Sequence, residues 1–281
     1  MLTARVPDAL DDEIDMVLGD GSLGVEVAAA GPGMSELRVY LGPSENAQVW
    51  RERAAEVLNA HGLAAATSRL TIDPVTDGRW VERWQSSLSP IPLGARFVVL
   101  PTEAAADSGG REAIRLIPGM AFGTGEHETT RLCAAALERR VAPGSHWLDL
   151  GTGTGLLAIL AARCGASRVL AVDSDPESAE VAAGVVARNA AGGVVEVRTG
   201  SMAEVAGETF DGIVANIQSS FFLANADLLA YALARSGTLL ASGFLDEDVL
   251  EVSSALAAAG IDVETRSSEG PWVCILARRA A

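Results

Sequence analysis

The sequence predicts an α/β protein whose larger part is a doubly wound, mainly parallel β-sheet, preceded by a small α+β domain. Three observations lead to this fold class. From Thr129 onward, apolar strand segments alternate with helical segments of about ten to fifteen residues, which is typical of a parallel sheet covered on both faces. A glycine-rich turn joins one of these strands to its helix. Residues 1–74 show a different, mixed order of strands and helices.

Residues 1–74 are predicted to form a domain of their own. We expect strands at LTARV, GVEVA, SELRVYL and ATSRLTI, and helices at PDALDDEIDMVL and SENAQVWRERAAEVLNAHG. The resulting order, βαββαβ, is the split βαβ arrangement of ferredoxin-like folds. Such an order implies no function by itself.

Residues 75–92 are predicted to be a linker, because prolines interrupt them and only the segment near Trp80 to Leu88 has helical character. Two strands, RFVVLP and AIRLI, are then expected to pair as a hairpin. The glycine-rich segment IPGMAFGTGEHETT (Ile117 to Thr130) follows them and precedes the first helix of the sheet domain. That position suits a loop that folds over a site.

Residues 93–281 are predicted to form the sheet domain. The helix TTRLCAAALERRV precedes the strands HWLDL, RVLAVD, VVEVRT, GIVANI and GTLLASGF. The remaining helices are expected at GLLAILAARCG, PESAEVAAGVVARNA, SFFLANADLLAYALA and DEDVLEVSSALAAAG. The final stretch, DVETRSSEGPWVCILARR, is expected to add two strands and thereby an antiparallel C-terminal edge.

The composition excludes several classes of function. The chain has no lysine, and all 21 basic residues are arginine, which rules out Schiff-base chemistry and a P-loop. The net charge of −16 argues against direct binding to a phosphate backbone and suits a basic protein partner, although the charge also serves solubility. No apolar run has the length of a membrane span, and the acidic N-terminal segment is unlike a signal peptide. We therefore expect a soluble cytoplasmic protein without membrane or nucleic-acid contact.

The cysteines and histidines do not predict a metal site. The chain has three of each. They are widely spaced, and neither a CxxC pair nor another spacing typical of metal ligands occurs.

The turn in LDLGTGTGLL is a candidate cofactor loop. Gly151, Gly153 and Gly155 permit a tight turn and a close approach of the backbone to a ligand at a helix N-terminus. The spacing is GxGxG, whereas a nicotinamide-binding fingerprint is GxGxxG. With Asp149 in the preceding strand, the loop has the (D/E)xGxGxG form that is typical of class I methyltransferases, which use S-adenosylmethionine.

An acidic residue ends the next strand. Asp173 closes RVLAVD, at a position where an acid can accept hydrogen bonds from both ribose hydroxyls of a bound nucleoside. The alternative role is the N-cap of the following helix. Asp175 suits that role better, because it directly precedes Pro176.

Polar residues also follow the third and fourth strands. Ser201 and Met202 are candidate adenine contacts, and a plain turn is an equally good interpretation of that segment. Asn216 stands at the carboxyl edge of the sheet, over the expected methyl group, with a strand-end turn as the alternative.

The segments PGMAFGTGEHETTRL, LDLGTGTGLLAI, AVDSDP and VANI together resemble the ribosomal protein L11 methyltransferases, the PrmA family. WVERWQSSLSPIPLG and EGPWVCILARR are also similar, so the resemblance covers roughly residues 75 to 281. The predicted N-terminal domain is similar to that of the family in size and strand order rather than in its residues. The resemblance implies a Rossmann-like class I methyltransferase domain, with a small N-terminal domain that recognises the ribosomal protein and a flexible linker that swings it over the catalytic domain.

The resemblance also implies the site residues. The family's cofactor contacts fall on Thr130, Gly151, Asp173 and Asn216, and the loop residues Asp149, Gly153 and Gly155, with Ser201, complete the predicted cofactor site. Phe122 and Gly123 are implied to line the methyl-transfer pocket, where Asn216 is the predicted catalytic group that positions the amine. For His127 we weigh a direct role against that of a solvated loop residue.

The implied reaction is methyl transfer from S-adenosylmethionine to lysine ε-amines of ribosomal protein L11, with the N-terminal α-amine as a further candidate, by a monomeric enzyme. One departure is that NIQSSFFL stands where the family often has NILAGPL-like sequences, so Gln218, Ser219 and Ser220 make the acceptor rim more polar. The same chemistry on a different protein lysine or a small-molecule amine is the alternative. A nicotinamide-dependent oxidoreductase is disfavoured by the GxGxG spacing. An inactive binding module is disfavoured because Asp173 and Asn216 are both present.

Overall fold

The computed structural model describes residues 1–10, 18, 24–41, 46–63, 66, 69–73, 89–100, 108–116 and 123–280. The chain divides into two compact units, Met1–Trp84 and Gln85–Ala281. Within the described ranges, no helix is long and apolar enough to cross a membrane.

The first unit contains a four-stranded sheet in the order β2-β3-β1-β4, and every neighbouring pair is antiparallel. Its strands are β1 (Leu2–Pro7), β2 (Gly24–Ala29), β3 (Met34–Tyr40) and β4 (Thr71–Ile72), and its helix α1 is Ala47–Ala60. Because β3 lies between β1 and β2, the sheet has the order that a split βαβ unit requires. The first predicted helix lies largely outside the described residues. Alternate residues of β1 and β3 pack with α1 in a core that includes Leu2, Leu37 and Trp50.

The second unit is built around a seven-stranded sheet in the order β10-β9-β8-β11-β12-β14-β13. Its strands are β8 (His146–Leu150), β9 (Arg168–Asp173), β10 (Val195–Thr199), β11 (Phe210–Asn216), β12 (Leu233–Leu245), β13 (Ile261–Glu269) and β14 (Trp272–Arg279). The helices are α2 (Glu128–Arg140), α3 (Leu156–Cys164), α4 (Pro176–Arg188), α5 (Ser219–Ala232) and α6 (Val249–Ala258). The pairs from β10 through β12 are parallel, and β14 is antiparallel to both of its neighbours. The predicted α/β class and its antiparallel C-terminal edge are confirmed, with β14 as the antiparallel strand and β13 at the outer edge.

The seven-stranded sheet is covered on both faces. Along β9, Val169 and Ala171 belong to a core with side chains of α2, α3 and α4, while Leu170 and Val172 belong to a second core with α5 and α6. This alternation follows from the two-residue period of a strand. Apolar residues at every position of such a strand are therefore buried, which fixes the sheet between two helical layers.

A smaller sheet precedes α2, and here one prediction was wrong. Its strands are β5 (Ile91–Leu93), β6 (Phe97–Leu100) and β7 (Glu112–Arg115). RFVVLP and AIRLI, predicted as a hairpin, contain β6 and β7, which pair in parallel, while β6 is antiparallel to β5. A parallel pair needs a longer connection than a hairpin turn, and eleven residues separate the end of β6 from the start of β7.

Candidate active site

The glycine-rich turn between β8 and α3 takes a backbone form that favours glycine. Gly151, Gly153 and Gly155 have φ values of +68°, +52° and +79°. A Cβ atom on Gly151 would also lie 2.8 Å from the side chain of Ile217. Gly155 is the N-cap of α3 and provides no side-chain cap. The Ala158 N–H donates to Asp149, so the N–H groups of Leu156 and Leu157 are the ones in the first turn that a ligand could engage.

Asp173, at the end of β9, connects this loop to the next strand. One carboxylate oxygen accepts a hydrogen bond from the backbone N–H of Gly153 at 2.9 Å, and the other accepts one from Asp175 N–H at 3.0 Å. Asp175 itself caps α4, where its side chain accepts from the N–H groups of Glu177 and Ser178. The prediction that Asp175, and not Asp173, is the N-cap of this helix is therefore confirmed.

A cavity of about 350 Å³ opens beside the glycine loop, at the carboxyl ends of β8, β9 and β11. The predicted residues that line it are Gly151, Gly153, Asp173, Ser201 and Asn216. Other residues of its wall were missed from the sequence, namely Leu150, Val172, Ser174, Ser178, Gly200, Ile217 and Phe221. Most of them directly precede or follow a predicted position at a strand end, and parallel strands bring their carboxyl ends to one edge. Ser178 and Phe221 instead lie in the first turns of the helices that follow β9 and β11.

Asn216 lies between this cavity and a smaller one of about 20 Å³. Its carboxamide nitrogen donates to the hydroxyl of Thr130 at 3.5 Å. Its carbonyl oxygen Oδ1 is buried and has no hydrogen-bond partner among the described residues. A buried acceptor without a partner is costly, so it marks a place where a ligand N–H group would be stabilised.

The two glycine-rich segments of the sequence are in direct contact. The hydroxyl of Thr154, in the second segment, donates to the backbone carbonyl of Gly123, in the first, at 2.7 Å. Both residues line the smaller cavity, as does Thr130. Phe122, predicted to line the same pocket, lies outside the described residues. The hydrogen bond of Thr154 was not foreseen, because a hydroxyl in a glycine loop gives no sequence signal for its partner.

Asp149, predicted as part of the cofactor site, is buried behind the loop and is 1% exposed. Its Oδ2 accepts from the Thr152 hydroxyl at 2.6 Å and from the Ala158 N–H at 2.9 Å, so it joins β8, the loop and α3. Its Oδ1 has no partner among the described residues. Burial raises the pKa of Asp149 from 3.8 to about 7. It is not among the residues found to line either cavity, and its contacts are those of a group that shapes the loop.

The pKa of Asp149 leads to a stability prediction. At pH values between the unfolded pKa of 3.8 and the folded pKa of about 7, Asp149 holds a proton in the folded chain that it has released in the unfolded chain. Raising the pH through this window therefore lowers the free energy of unfolding, by at most about 1.4 kcal/mol per pH unit. Asp149→Asn cannot titrate and should lose this component, so variant and wild type should show different slopes from pH 5 to 7 in urea denaturation. If the two slopes are the same, the pKa of Asp149 is not raised by burial.

Ser201 lines the larger cavity, but its polar groups are already engaged. Its N–H and its hydroxyl both donate to Glu204, at 2.6 and 3.0 Å. Both bonds lower the pKa of Glu204, and the bond from the backbone N–H has the larger effect. Met202, the other candidate, is buried in the core under α5. Glu204 was missed from the sequence because its carboxylate turns back onto the preceding loop.

His127 is the N-cap of α2. Its Nδ1 accepts from the Thr129 N–H at 3.3 Å, and its ring packs edge-on against Trp272 with 4.7 Å between ring centroids. Burial is the main cause that lowers its pKa. His127 therefore helps to hold the start of α2, the helix that carries Thr130, against β14.

Comparison with known proteins agrees with this geometry. The family model described as ribosomal protein L11 methyltransferase (PrmA) matches residues 29–280. The chain is similar to a ribosomal protein L11 methyltransferase of Pelotomaculum thermopropionicum, at 40% identity over 92% of this chain and 83% of the relative. A second such relative, from Heliobacterium modesticaldum, is 35% identical over 91% of this chain and 82% of its own length. A crystal structure of a ribosomal protein L11 methylase from Lactobacillus delbrueckii subsp. bulgaricus is 29% identical with a TM-score of 0.61, and the match covers 69% of this chain and 100% of that one.

Proposed function

The chain belongs to the ribosomal protein L11 methyltransferase (PrmA) family, and we propose that it methylates amino groups of ribosomal protein L11. The proposed acceptors are lysine ε-amines and the N-terminal α-amine. The observation that carries the proposal is the position of Asn216 in the walls of both cavities, with a buried carbonyl oxygen that has no hydrogen-bond partner in the described part of the chain. One cavity has room for a nucleoside-sized cofactor, and the other has room for one small group.

S-adenosylmethionine is the methyl donor of this enzyme class, and the residues of the larger cavity suit it. The cavity of about 350 Å³ lies within the range of about 300–1,000 Å³ typical of small-molecule sites. Asp173 would provide a carboxylate for two ribose hydroxyls, and Gly151 and Gly153 bring the backbone of the loop to the cavity wall. When bound, the donor would supply an electrophilic methyl group: its carbon–sulfur bond would break as an uncharged amine attacks the methyl carbon, and the sulfur would leave as a neutral thioether.

The chain's own residues have two tasks in this reaction. A lysine amine with a pKa near 10.4 must lose a proton, which costs about 4.6 kcal/mol at pH 7. The smaller cavity, of about 20 Å³, admits little more than one water-sized group, so an amine that reaches it leaves most of its hydration behind. Burial of this kind lowers an amine's pKa. Asn216 then accepts an N–H hydrogen bond and directs the nitrogen lone pair, and positioning of this kind contributes up to about 7–11 kcal/mol.

Asn216→Ala should lower kcat by about 100-fold, because the amine is no longer held in line for attack. The free energy of unfolding should change little, since the lost oxygen has no partner within the described chain. Single-turnover kinetics with labelled S-adenosylmethionine measures the effect. Asn225→Ala is the matched control, because among the described residues the side chain of Asn225 donates to the Phe221 carbonyl inside α5, and the variant should leave kcat unchanged. A wild-type rate in Asn216→Ala would remove Asn216 from the mechanism.

Charge and domain structure support a basic protein as the acceptor. The chain carries a net charge of −16, which favours association with a basic partner at low salt. We propose that residues 1–74 recognise the ribosomal protein, that residues 75–92 link them to the catalytic domain of residues 93–281, and that the enzyme acts as a monomer in the cytoplasm. Methylation of another protein lysine or of a small amine is the competing proposal. It predicts turnover without ribosomal protein, which the same assay would detect.

A further inference from the structure

We propose that Gly243 is a positioning residue that fixes the place of Ile217 and, through it, of Asn216. Gly243 is the extra residue of a β-bulge in β12, because Ser242 and Phe244 pair with consecutive residues of β14. Its φ is +95°, a conformation that favours glycine. Bulges of this kind often lie beside active sites, where they direct a side chain.

Gly243 packs directly against the backbone of Ile217. A Cβ atom at Gly243 would lie 2.6 Å from both the nitrogen and the carbonyl oxygen of Ile217, which is far inside van der Waals contact. The N–H of Ile217 donates to the Ser242 carbonyl at 2.9 Å, so β11 and β12 remain joined one residue past the pair of Asn216 and Ser242. A residue without a Cβ atom therefore lets the end of β11 lie this close to β12.

Ile217 lies between glycines at the ends of both neighbouring strands. In the sheet β11 stands between β8 and β12, and the turn after β8 begins with Gly151. A Cβ atom at Gly151 would lie 2.8 Å from Cγ1 of Ile217, so the Ile217 side chain touches the glycine loop while its backbone touches Gly243. A shift of Ile217 away from β12 would press it onto the loop that lines the larger cavity.

The bulge therefore sets two features of the candidate site together. Asn216 directly precedes Ile217 and lines both cavities, so a shift of Ile217 also moves the Asn216 carboxamide. Restoring an ordinary contact of 3.4 Å from 2.6 Å requires a shift of about 0.8 Å. Misplacement of about 1 Å can lower a reaction rate by about 100-fold.

The test compares variants of the full-length protein. Gly243→Ala adds the methyl group for which the bulge has no room. Gly260→Ala is the matched control, because Gly260 has a similar φ of +81° and a Cβ atom there would meet no described residue within 4 Å beyond its chain neighbours. Gly260 is also not among the residues found to line either cavity. Both variants carry the strain of a left-handed alanine, and Gly243→Ala adds the clash.

Cofactor affinity, measured by calorimetry, is the first readout. Gly243→Ala should weaken S-adenosylmethionine binding about tenfold, the effect expected of an overpacked contact, and Gly260→Ala should stay within about twofold of wild type. Ile217→Ala removes the side-chain atoms that face Gly151, so in that background the loss caused by Gly243→Ala should shrink to about threefold or less. An equal loss in both backgrounds, or wild-type affinity in Gly243→Ala, would overturn the inference.

The place of Asn216 is the second readout. In side-chain ¹⁵N spectra of the five asparagines, the resonance of Asn216, assigned with Asn216→Ala, should shift in Gly243→Ala and stay in place in Gly260→Ala. With the same two variants kcat should fall about 10- to 100-fold and stay at the wild-type value, respectively. An unmoved Asn216 resonance in folded Gly243→Ala would contradict the proposed positioning.

Ser242→Ala replaces this variant if Gly243→Ala does not fold. The Ser242 hydroxyl donates to the Val273 carbonyl at 2.7 Å and anchors the bulge to β14, so its loss loosens the bulge without adding an atom. The Asn216 resonance should then shift, and kcat should fall about threefold, as expected for one lost hydrogen bond.

Ser254→Ala is the control for Ser242→Ala. The Ser254 hydroxyl also donates to a backbone carbonyl at 2.7 Å, that of Leu250 in α6, and its loss should leave both the Asn216 resonance and kcat unchanged. If Ser242→Ala matches this control in both measurements, the bulge does not position Asn216.

The inference rests on the proposed function only for its effect on turnover. If wild-type enzyme fails to methylate ribosomal protein L11, that function falls, while cofactor affinity and the Asn216 resonance still decide the role of Gly243.

Discussion

Asp173→Ala is expected to weaken S-adenosylmethionine binding by about 100-fold or more, because two charge-assisted hydrogen bonds of about 1.5–3 kcal/mol each are lost. Asp173 lines the larger cavity and also accepts from the N–H of Gly153, so its loss removes a ligand contact and loosens the glycine loop. Both effects act on cofactor affinity. Isothermal titration calorimetry on the folded variant measures the change directly.

Asp175→Ala is the matched control for this prediction. Asp175 lies two residues away and caps α4, and it is not among the residues found to line the cavity. Its loss should cost about 1 kcal/mol of stability and leave cofactor affinity unchanged. If Asp173→Ala stays folded and binds S-adenosylmethionine as tightly as wild type, the assignment of the larger cavity to the methyl donor is wrong.

Deletion of residues 1–74 is expected to abolish methylation of ribosomal protein L11 while cofactor affinity stays within about twofold of the full chain. The cores of the two units are separate: one contains residues between Leu2 and Ile72, and the others contain residues from Ile91 onward. The catalytic unit should therefore fold alone. Binding energy from a remote part of a substrate raises turnover, so loss of a recognition domain removes activity without touching the site.

Two controls sharpen the deletion experiment. Calorimetry with S-adenosylmethionine shows that the remaining unit is folded and competent. A short lysine peptide at high concentration shows whether transfer chemistry survives without recognition. Normal turnover of intact ribosomal protein by the deleted chain would show that the N-terminal unit is not the recognition module.

Local sequence patterns predicted much of the fold because they depend on near neighbours. The spacing of Gly151, Gly153 and Gly155 identified a turn that needs positive φ, and the apolar strands identified a sheet buried on both faces. Asp173 and Asn216 were found because each ends a parallel strand, and such ends meet at one edge. These features require no knowledge of tertiary contacts.

Features that depend on tertiary contacts were not predictable. β6 is the central strand of its sheet and pairs antiparallel with β5 and parallel with β7, so the predicted hairpin of β6 and β7 was wrong. Asp149 belongs to the loop motif, but the pleat of β8 turns its carboxylate into the core. The hydrogen bond from Thr154 to Gly123 joins residues that are distant in sequence. In each case the deciding partner lies far along the chain.

The proposed methyl transfer can be observed by mass spectrometry of ribosomal protein L11 after incubation with the enzyme and deuterated-methyl S-adenosylmethionine. The enzyme has no lysine, so every labelled methyl-lysine in the digest must come from the substrate. We expect labelled methyl groups on lysines of the ribosomal protein, and much less label with Asn216→Ala and, at limiting cofactor, with Asp173→Ala. A ribosomal protein that carries no label after incubation with folded, cofactor-binding enzyme would contradict the proposed function.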